Sequence, residues 1–283
     1  MTTEPLSPPE VGPSLDEAAL RAAFTPVHRP RRPSAITVST TFAWRSLLRI
    51  RHVPEQLLDV TFVPVMVLLS FTYLFGGAIA GSTEEYLQFL LPGVLVQTVL
   101  FTTVYTGATL NTDLSHGLYD RFRSMPVGRP APMIGALLAD LLRYLVASVV
   151  VVVLGLVLGF TPDGGAAGVV AAVALLLVFA SGVAWLFTFL GMVLRAPNAV
   201  MNAGMVVLFP LTLASNVFVP PETMPDWLET LVDHNPVTRM VTATRSLMAG
   251  SATFEEVAWV LGATAAFALV FVPLVLRRFR ALG

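Results

Sequence analysis

Long apolar runs separated by short polar punctuation fill most of this chain. Six of them, at about 55–79, 87–110, 133–160, 167–194, 200–217 and 257–276, carry almost no charge. A helix rises about 1.5 Å per residue and needs roughly twenty apolar residues to cross the hydrocarbon core, so the pattern predicts transmembrane helices. Prolines interrupt the first, second and fifth runs at Pro64, Pro92 and Pro210, which membrane helices tolerate when neighbours satisfy the freed backbone groups. The first run is expected to close at Gly76-Gly77, an acidic loop follows at 81–85, and a tight turn falls at 161–165.

Between the runs the pattern changes character rather than simply turning polar. Ser34 to His52 is amphipathic, with Ile36, Ala43, Trp44, Leu47 and Ile50 on a broad face and Arg45 and Arg49 one turn apart on another. That predicts an interfacial helix anchored by tryptophan and arginine. Residues 111–132, NTDLSHGLYDRFRSMPVGRPAP, make a charged, proline-punctuated island. As a helix over 113–125, the island places Leu114, Leu118, Phe122 and Met125 on one face and Asp113, Asp120, Arg121 and Arg123 elsewhere. Pro126 ends that helix, having no N–H to donate. The residues alone fit either a helix lying on lipid headgroups or one that carries force between two spans.

A second unusual stretch, 218–256, is too polar to span yet is studded with apolar residues, among them Trp227, Leu228, Leu231 and Met248. It predicts two short amphipathic helices, 225–232 and 236–248, the second opened by Asn235-Pro236 as cap and first helical residue and closed at Gly250. Folded back into the outer leaflet, they either cap the bundle or help substrate leave. Residues 1–33 are rich in proline and small residues and read as a disordered cytosolic arm.

Composition narrows the chemistry. Of 283 residues 55% are hydrophobic and only 12% charged, well below the roughly 25% of soluble domains. Without cysteine there is no disulfide framework or zinc-thiolate site. All 17 basic residues are arginine, so the chain lacks the phosphate-binding lysine of a P-loop, and any ATP energy must come from a partner. With both termini, the island and the Arg195 turn on one side, only Arg239 and Arg245 lie on the other, together with most of the loop acids. By the positive-inside rule the arginine-rich side is cytoplasmic.

The middles of the spans hold no ionisable residue, which disfavours ion-coupled transport. Asp59, Asp140 and Arg143 lie near the cytoplasmic ends, and the last two can pair three residues apart on one helix. His28, His52, His116 and His234 fall in loops or interfaces without histidine–carboxylate spacing, so neither catalysis nor a metal site is expected. Met66, Phe71, Phe101, Met205 and Phe209 could offer adaptable surfaces to varied apolar ligands, but a stripe of this kind is more often ordinary helix packing.

The island and the outer segment carry a family resemblance. Asp113, Gly117, Arg121 and Ser124-Met125-Pro126, then Ser215-Asn216-x-Phe218-x-Pro220, Met224-Pro225-x-Trp227-Leu228, Asn235-Pro236-Val237-Thr238 and Arg245 before Gly250 resemble the pattern of type-2 ABC exporter (ABC-2) permeases. Among these the chain is most similar to the daunorubicin/doxorubicin-resistance type, over about residue 34 to the C-terminus. The resemblance implies an all-α integral membrane protein: an N-terminal interfacial helix (Trp44, Arg45, Leu47, Arg49), six spans, and two short extracellular helices before the last of them (Trp227, Leu228, Asn235, Pro236, Arg245). It also implies a cytosolic coupling helix with Asp113, Leu114, Gly117, Leu118, Asp120, Arg121, Phe122, Met125 and Pro126 against an ATPase. The expected assembly is two permease chains, identical or paralogous, and two ATPase subunits in a bacterial plasma membrane. ATP and magnesium would sit on the ATPase, and no cofactor or nucleic acid on this chain. Cargo would be an amphipathic drug, antibiotic or lipid. An ion-coupled transporter and a non-transporting scaffold are the competing classes.

Overall fold

The computed structural model describes residues 54–116 and 131–281, with side chains over 62–116 and 137–279. The arm, the expected interfacial helix with Trp44, Arg45, Leu47 and Arg49, and the island over 117–130 lie outside the described residues. The helices are α1 (Pro54–Ala80), α2 (Thr83–Ser115), α3 (Ala131–Leu158), α4 (Gly165–Val193), α5 (Pro197–Leu213), α6 (Asp226–Asp233), α7 (Pro236–Ala249) and α8 (Phe254–Ala281), with a short 3₁₀ turn, Pro221–Thr223, before α6. Among the described residues α1, α2, α3, α4 and α8 contain stretches long and apolar enough to cross a membrane, and α5 is a shorter apolar helix of 17 residues.

α2 is the axis of the bundle: 78% of its apolar window is buried, against 11–44% for the other four long helices. α1, α3, α4, α5 and α7 all pack on it. Around it α1 packs on α3, α3 on α4 and α4 on α5, while no comparable packing joins α5 to α1. Among the described residues the ring around α2 is therefore open between α5 and α1, apart from Phe71 of α1, which stacks on Phe218 just beyond α5. α8 packs outside, on α4 and α7. Elsewhere the outer wall is aliphatic, as at Val157, Val170 and Leu269, which suits hydrocarbon.

Several boundaries differ from the expected ones. α1 runs through Gly76-Gly77 to Ala80. α2 begins in the acidic loop because Ser82 Oγ accepts from the Glu85 N–H at 3.1 Å, which places Glu84 and Glu85 in the first turn, where the helix dipole favours them. It continues past 110 to Ser115, so Asp113 and Leu114 ride on the end of the second span instead of opening a helix of their own. α5 stops at Leu213 rather than 217: the Ser215 hydroxyl donates to the Thr212 carbonyl, and Asn235 takes the last carbonyls of the helix. α8 is longer than expected, with Glu255 and Glu256 in its first turn.

α2 and α4 approach more closely than ordinary side chains allow. A Cβ built on Gly107 would strike the Phe187 carbonyl, and one on Gly191 would strike that of Gly107. Small residues of this kind let membrane helices pack backbone to backbone. Asn111, one turn beyond Gly107, donates through Nδ2 to the carbonyls of Gly191 (2.9 Å) and Leu194 (2.7 Å), capping α4 as it turns into α5. Gly107→Leu should therefore lower the melting midpoint of the purified protein sharply. Overpacking alone costs about 1–3 kcal/mol, and here the obstacle is backbone that cannot swing aside. An unchanged midpoint would mean that the two helices separate freely.

Candidate functional site

Three places in the bundle hold arranged polar groups. At one end of the bundle α7 packs on α4, α2 and α5, and α6 packs on α7 and the 3₁₀ turn. Asn235 is buried and uses its whole amide: Nδ2 donates to Leu211 O (2.7 Å) and Ala214 O (2.6 Å), and Oδ1 accepts from Val237 N (2.9 Å). One side chain thus ends α5 and starts α7, with Pro236 at the first helical position. At the far end of α7, Gly250 adopts φ 74°, the left-handed cap that glycine takes without strain.

Arg245, half-buried on α7, reaches back to α2. Its Nε and Nη2 donate to Phe89 O at 3.3 and 3.0 Å, Nη2 also reaches Asn216 O at 3.3 Å, and the guanidinium lies 3.9 Å from the Phe89 ring centroid. Pro92 has no N–H for the Gln88 carbonyl and loosens the helix one residue from this contact. Burial pushes the Arg245 pKa down to about 10, opposed by Glu222, so the group stays charged at neutral pH. Beside it a cavity of about 150 Å³ is lined by Gln88, Pro92, Asp163 and Met248 among others. Gln88 bonds Gly159 O and Thr161 N, which pins the turn between α3 and α4. Trp227 is exposed on α6 and Leu228 half-buried.

The second place is the open side of α2. From Leu90 to Val104 every residue of α2 is buried except Gln97 and Phe101, one turn apart. The hydroxyls of this stretch satisfy themselves on the helix, Thr98 on Val94 O and Thr102 on Thr98 O, both at 2.7 Å. Gln97 differs: its Oε1 is buried and has no hydrogen-bond partner. Met66 on α1, and Met205 and Phe209 on α5, are exposed on the two helices that border the opening. Phe71 is packed instead, stacked on Phe218 at 4.6 Å and tilted against Phe75 at 5.3 Å. Of the five expected path residues, Met66, Met205 and Phe209 are thus exposed on α1 and α5, while Phe71 and Phe101 are both half-buried and packed against the core.

The third place lies between α2 and the first turns of α3. Arg143 Nη1 is 3.1 Å from Asp140 Oδ1, with side-chain exposures of 11% and 13%. Beside them the Thr106 and Tyr144 hydroxyls meet at 2.8 Å. The expected pairing is present, and the pair is drawn into the bundle rather than left at its edge. Of the expected coupling residues, Asp113 and Leu114 lie on the last turn of α2; Gly117, Leu118, Asp120, Arg121, Phe122, Met125 and Pro126 are outside the described residues. Among the described residues no group of three or more His, Cys, Asp or Glu is placed to hold a metal ion.

Gln97, Asn111 and Asn216 escaped the sequence reading as site residues. Their signal was a carboxamide inside or beside an apolar run: Asn111 and Asn216 donate through Nδ2 to neighbouring elements, Asn216 to Thr242 Oγ1 at 2.9 Å, while their Oδ1 atoms, like Gln97 Oε1, are buried without a hydrogen-bond partner.

Among the described residues the fold is that of a multi-pass helical membrane protein, with short helices packed over one end of the bundle. The chain belongs to the ABC-2 type transporter family, whose model matches residues 38–249. It is 48% identical over 280 residues, 99% of this chain and 98% of the relative, to the daunorubicin resistance ABC transporter permease protein DrrB1 of Streptomyces coeruleorubidus. It is also similar to the doxorubicin resistance ABC transporter permease protein DrrB of Mycobacterium tuberculosis, at 25% identity over 70% of this chain and 69% of the relative. A third relative from that species is the probable doxorubicin resistance permease DrrC, at 23% identity over 77% and 80%. The chain is therefore an ABC permease subunit, a multi-pass membrane protein whose ATPase is a separate partner.

Proposed function

We propose that this permease exports aromatic or amphipathic drugs from the cytoplasm or inner leaflet of a bacterial plasma membrane, with both termini cytoplasmic. The observation that carries the reading is that, among the described residues, α5 and α1 leave a gap beside the central helix, with Met66, Met205 and Phe209 exposed on the two helices that border it. A full-length relative named for daunorubicin resistance supports the substrate class. A second permease chain, identical or paralogous, faces this opening and encloses the path. Two ATPase subunits, which bind the ATP and magnesium, drive the cycle through the island that follows α2. Asn111 would pass their movement from the end of α2 to the turn between α4 and α5, since its amide holds both helices. The central charge that an ionic solute would need is missing from the opening, which favours this reading over ion-coupled transport.

The test is transport in vesicles containing the permease and its cognate ATPase. Aromatic amphiphiles should accumulate only with hydrolysable ATP. Leu118→Glu with Phe122→Glu should abolish both transport and co-purification of the ATPase, because each apolar anchor contributes about 1.5–3 kcal/mol when buried. Uptake driven by a proton or sodium gradient without the ATPase would overturn the exporter reading.

A further inference from the structure

Along α8, Trp259, Gly262, Ala266 and Val270 fall at i, i+3, i+7 and i+11, one stripe of the helix, and all four are exposed. With Phe267, Phe271 and Pro236 of α7 they line an apolar groove of about 620 Å³. Its aromatic floor is braced by α4: the Phe267 ring meets Phe179 edge-on at 6.3 Å, and Phe271 lies 6.2 Å from Phe189. A Cβ built on Gly262 would meet nothing within 4 Å, so the protein leaves the middle of the groove unfilled. From Trp259 to Phe271 the groove covers twelve residues of helical rise, about 18 Å, close to the roughly 15 Å of hydrocarbon in one leaflet. That is the length of one acyl chain, whereas a partner helix would use the whole span. At its mouth stands Arg239, exposed on α7, with its guanidinium 5.7 Å from the Trp259 ring centroid and Nε donating to Asp233 O at 2.9 Å. Among the described residues its two Nη groups have no hydrogen-bond partner and no carboxylate lies within ion-pair distance. A guanidinium with donors to spare, a tryptophan of the kind that sits at headgroup depth and an apolar groove of one leaflet's length together match a phosphate joined to an alkyl chain.

We propose that the α8 groove is a binding site for a phospholipid of the leaflet beside α6 and α7, with one acyl chain along Gly262, Ala266 and Val270 and the phosphate held by Arg239. The lipid fills the space next to a helix that, among the described residues, packs on α4 and α7 alone, and so fastens α8 to α7 at the headgroup end. α8 packs on neither helix that borders the gap between α5 and α1, so the site is separate from the proposed export path and does not depend on it.

The experiment measures lipid retention without transport. Full-length permease, delipidated in detergent, is titrated with dioleoyl phosphatidylglycerol and with dioleoylglycerol, which share their chains and differ in the phosphate headgroup, and bound lipids are counted by native mass spectrometry. The wild-type protein should hold one phosphatidylglycerol about tenfold more tightly than the diglyceride, since both fill the groove and only one reaches the guanidinium. Arg239→Gln should remove about that tenfold and leave the diglyceride within about twofold, while Arg239→Lys, which keeps the charge, should retain most of the preference. Gly262→Leu places a side chain where the structure has open space, so the fold tolerates it, and it should weaken both lipids together. Phosphatidylglycerol held as tightly by Arg239→Gln as by the wild type, or both lipids held unchanged by Gly262→Leu, would overturn the proposal. So would a Gly262→Leu protein that loses self-association on cross-linking while keeping its lipid, since the groove would then belong to a second copy of the chain.

Discussion

Asp140→Ala should destabilise the bundle by about 3–5 kcal/mol, the usual consequence of leaving the other half of a buried ion pair uncompensated. Arg143 would then sit at 11% exposure in the first turns of a span with a full charge and no carboxylate at 3.1 Å. Arg143→Leu should cost about as much by stranding the aspartate. The double variant Asp140→Leu with Arg143→Leu should recover most of the loss, since two apolar side chains in a largely buried position replace two desolvated charges. Recovery is all the more expected because Arg143 Nε and Nη1 are both buried without a well-directed hydrogen bond, so the 3.1 Å contact with Asp140 is an attraction of charges that leaves the pair only partly satisfied. Chemical denaturation in detergent, read as a double-mutant cycle, measures the coupling. Additive effects of the two changes would show that the charges do not act as a pair, and their place between α2 and α3 would need another cause.

Much of this arrangement was legible in the residues because the bilayer imposes simple rules. Apolar runs of sufficient length gave the long helices. Asn235-Pro236 and Gly250 gave both ends of α7, because capping and the left-handed turn depend on local chemistry alone. The spacing of Asp140 and Arg143 gave their pairing for the same reason. Arg239 and Arg245, the two arginines assigned to the outer side, are both tethered in the structure. Arg239 donates to Asp233 O at 2.9 Å and lies 5.7 Å from the Trp259 ring, and Arg245 holds two carbonyls.

What the sequence hid was tertiary. The end of α5 is set by an amide 24 residues from Leu211, so no local pattern reports it, and the apolar run to Val217 reads as more helix although Val217 is buried in a turn. α2 outruns its apolar stretch because Asn111 and Thr112 find carbonyl partners, which removes the penalty for polar residues at its end. The five path candidates were chosen as sulphur and aromatic side chains. Composition cannot distinguish Phe71 and Phe101, both half-buried against the core, from Met66, Met205 and Phe209, which are left exposed. Which helix becomes the axis is equally invisible, because α2 and α4 are similar in length, both apolar and each packed by five neighbours, and only burial, 78% of the apolar window for α2 against 44% for α4, decides it.

Arg245→Ala should unfasten the outer layer. The substitution removes a charged donor from the carbonyls of Phe89 and Asn216 and a cation from the face of the Phe89 ring. Hydrogen bonds from charged groups contribute roughly 1.5–3 kcal/mol each, and a cation over an aromatic ring about 0.5–2 kcal/mol. With the longer contacts discounted, the expected loss is about 3 kcal/mol. Arg245→Lys keeps the charge but cannot hold two carbonyls with one planar fork, and should recover less than half. The damage should be local at first: amides of α6 and α7 should exchange with deuterium faster than those of α2, because the clasp closes these short helices onto a core that has its own packing. Transport should fall with it if the re-entrant layer must stay seated while substrate leaves. Should the melting midpoint and the exchange pattern both stay at wild-type values while transport is lost, Arg245 acts on the cargo, through the cavity it shares with Asp163, and the clasp is held by Asn235 alone.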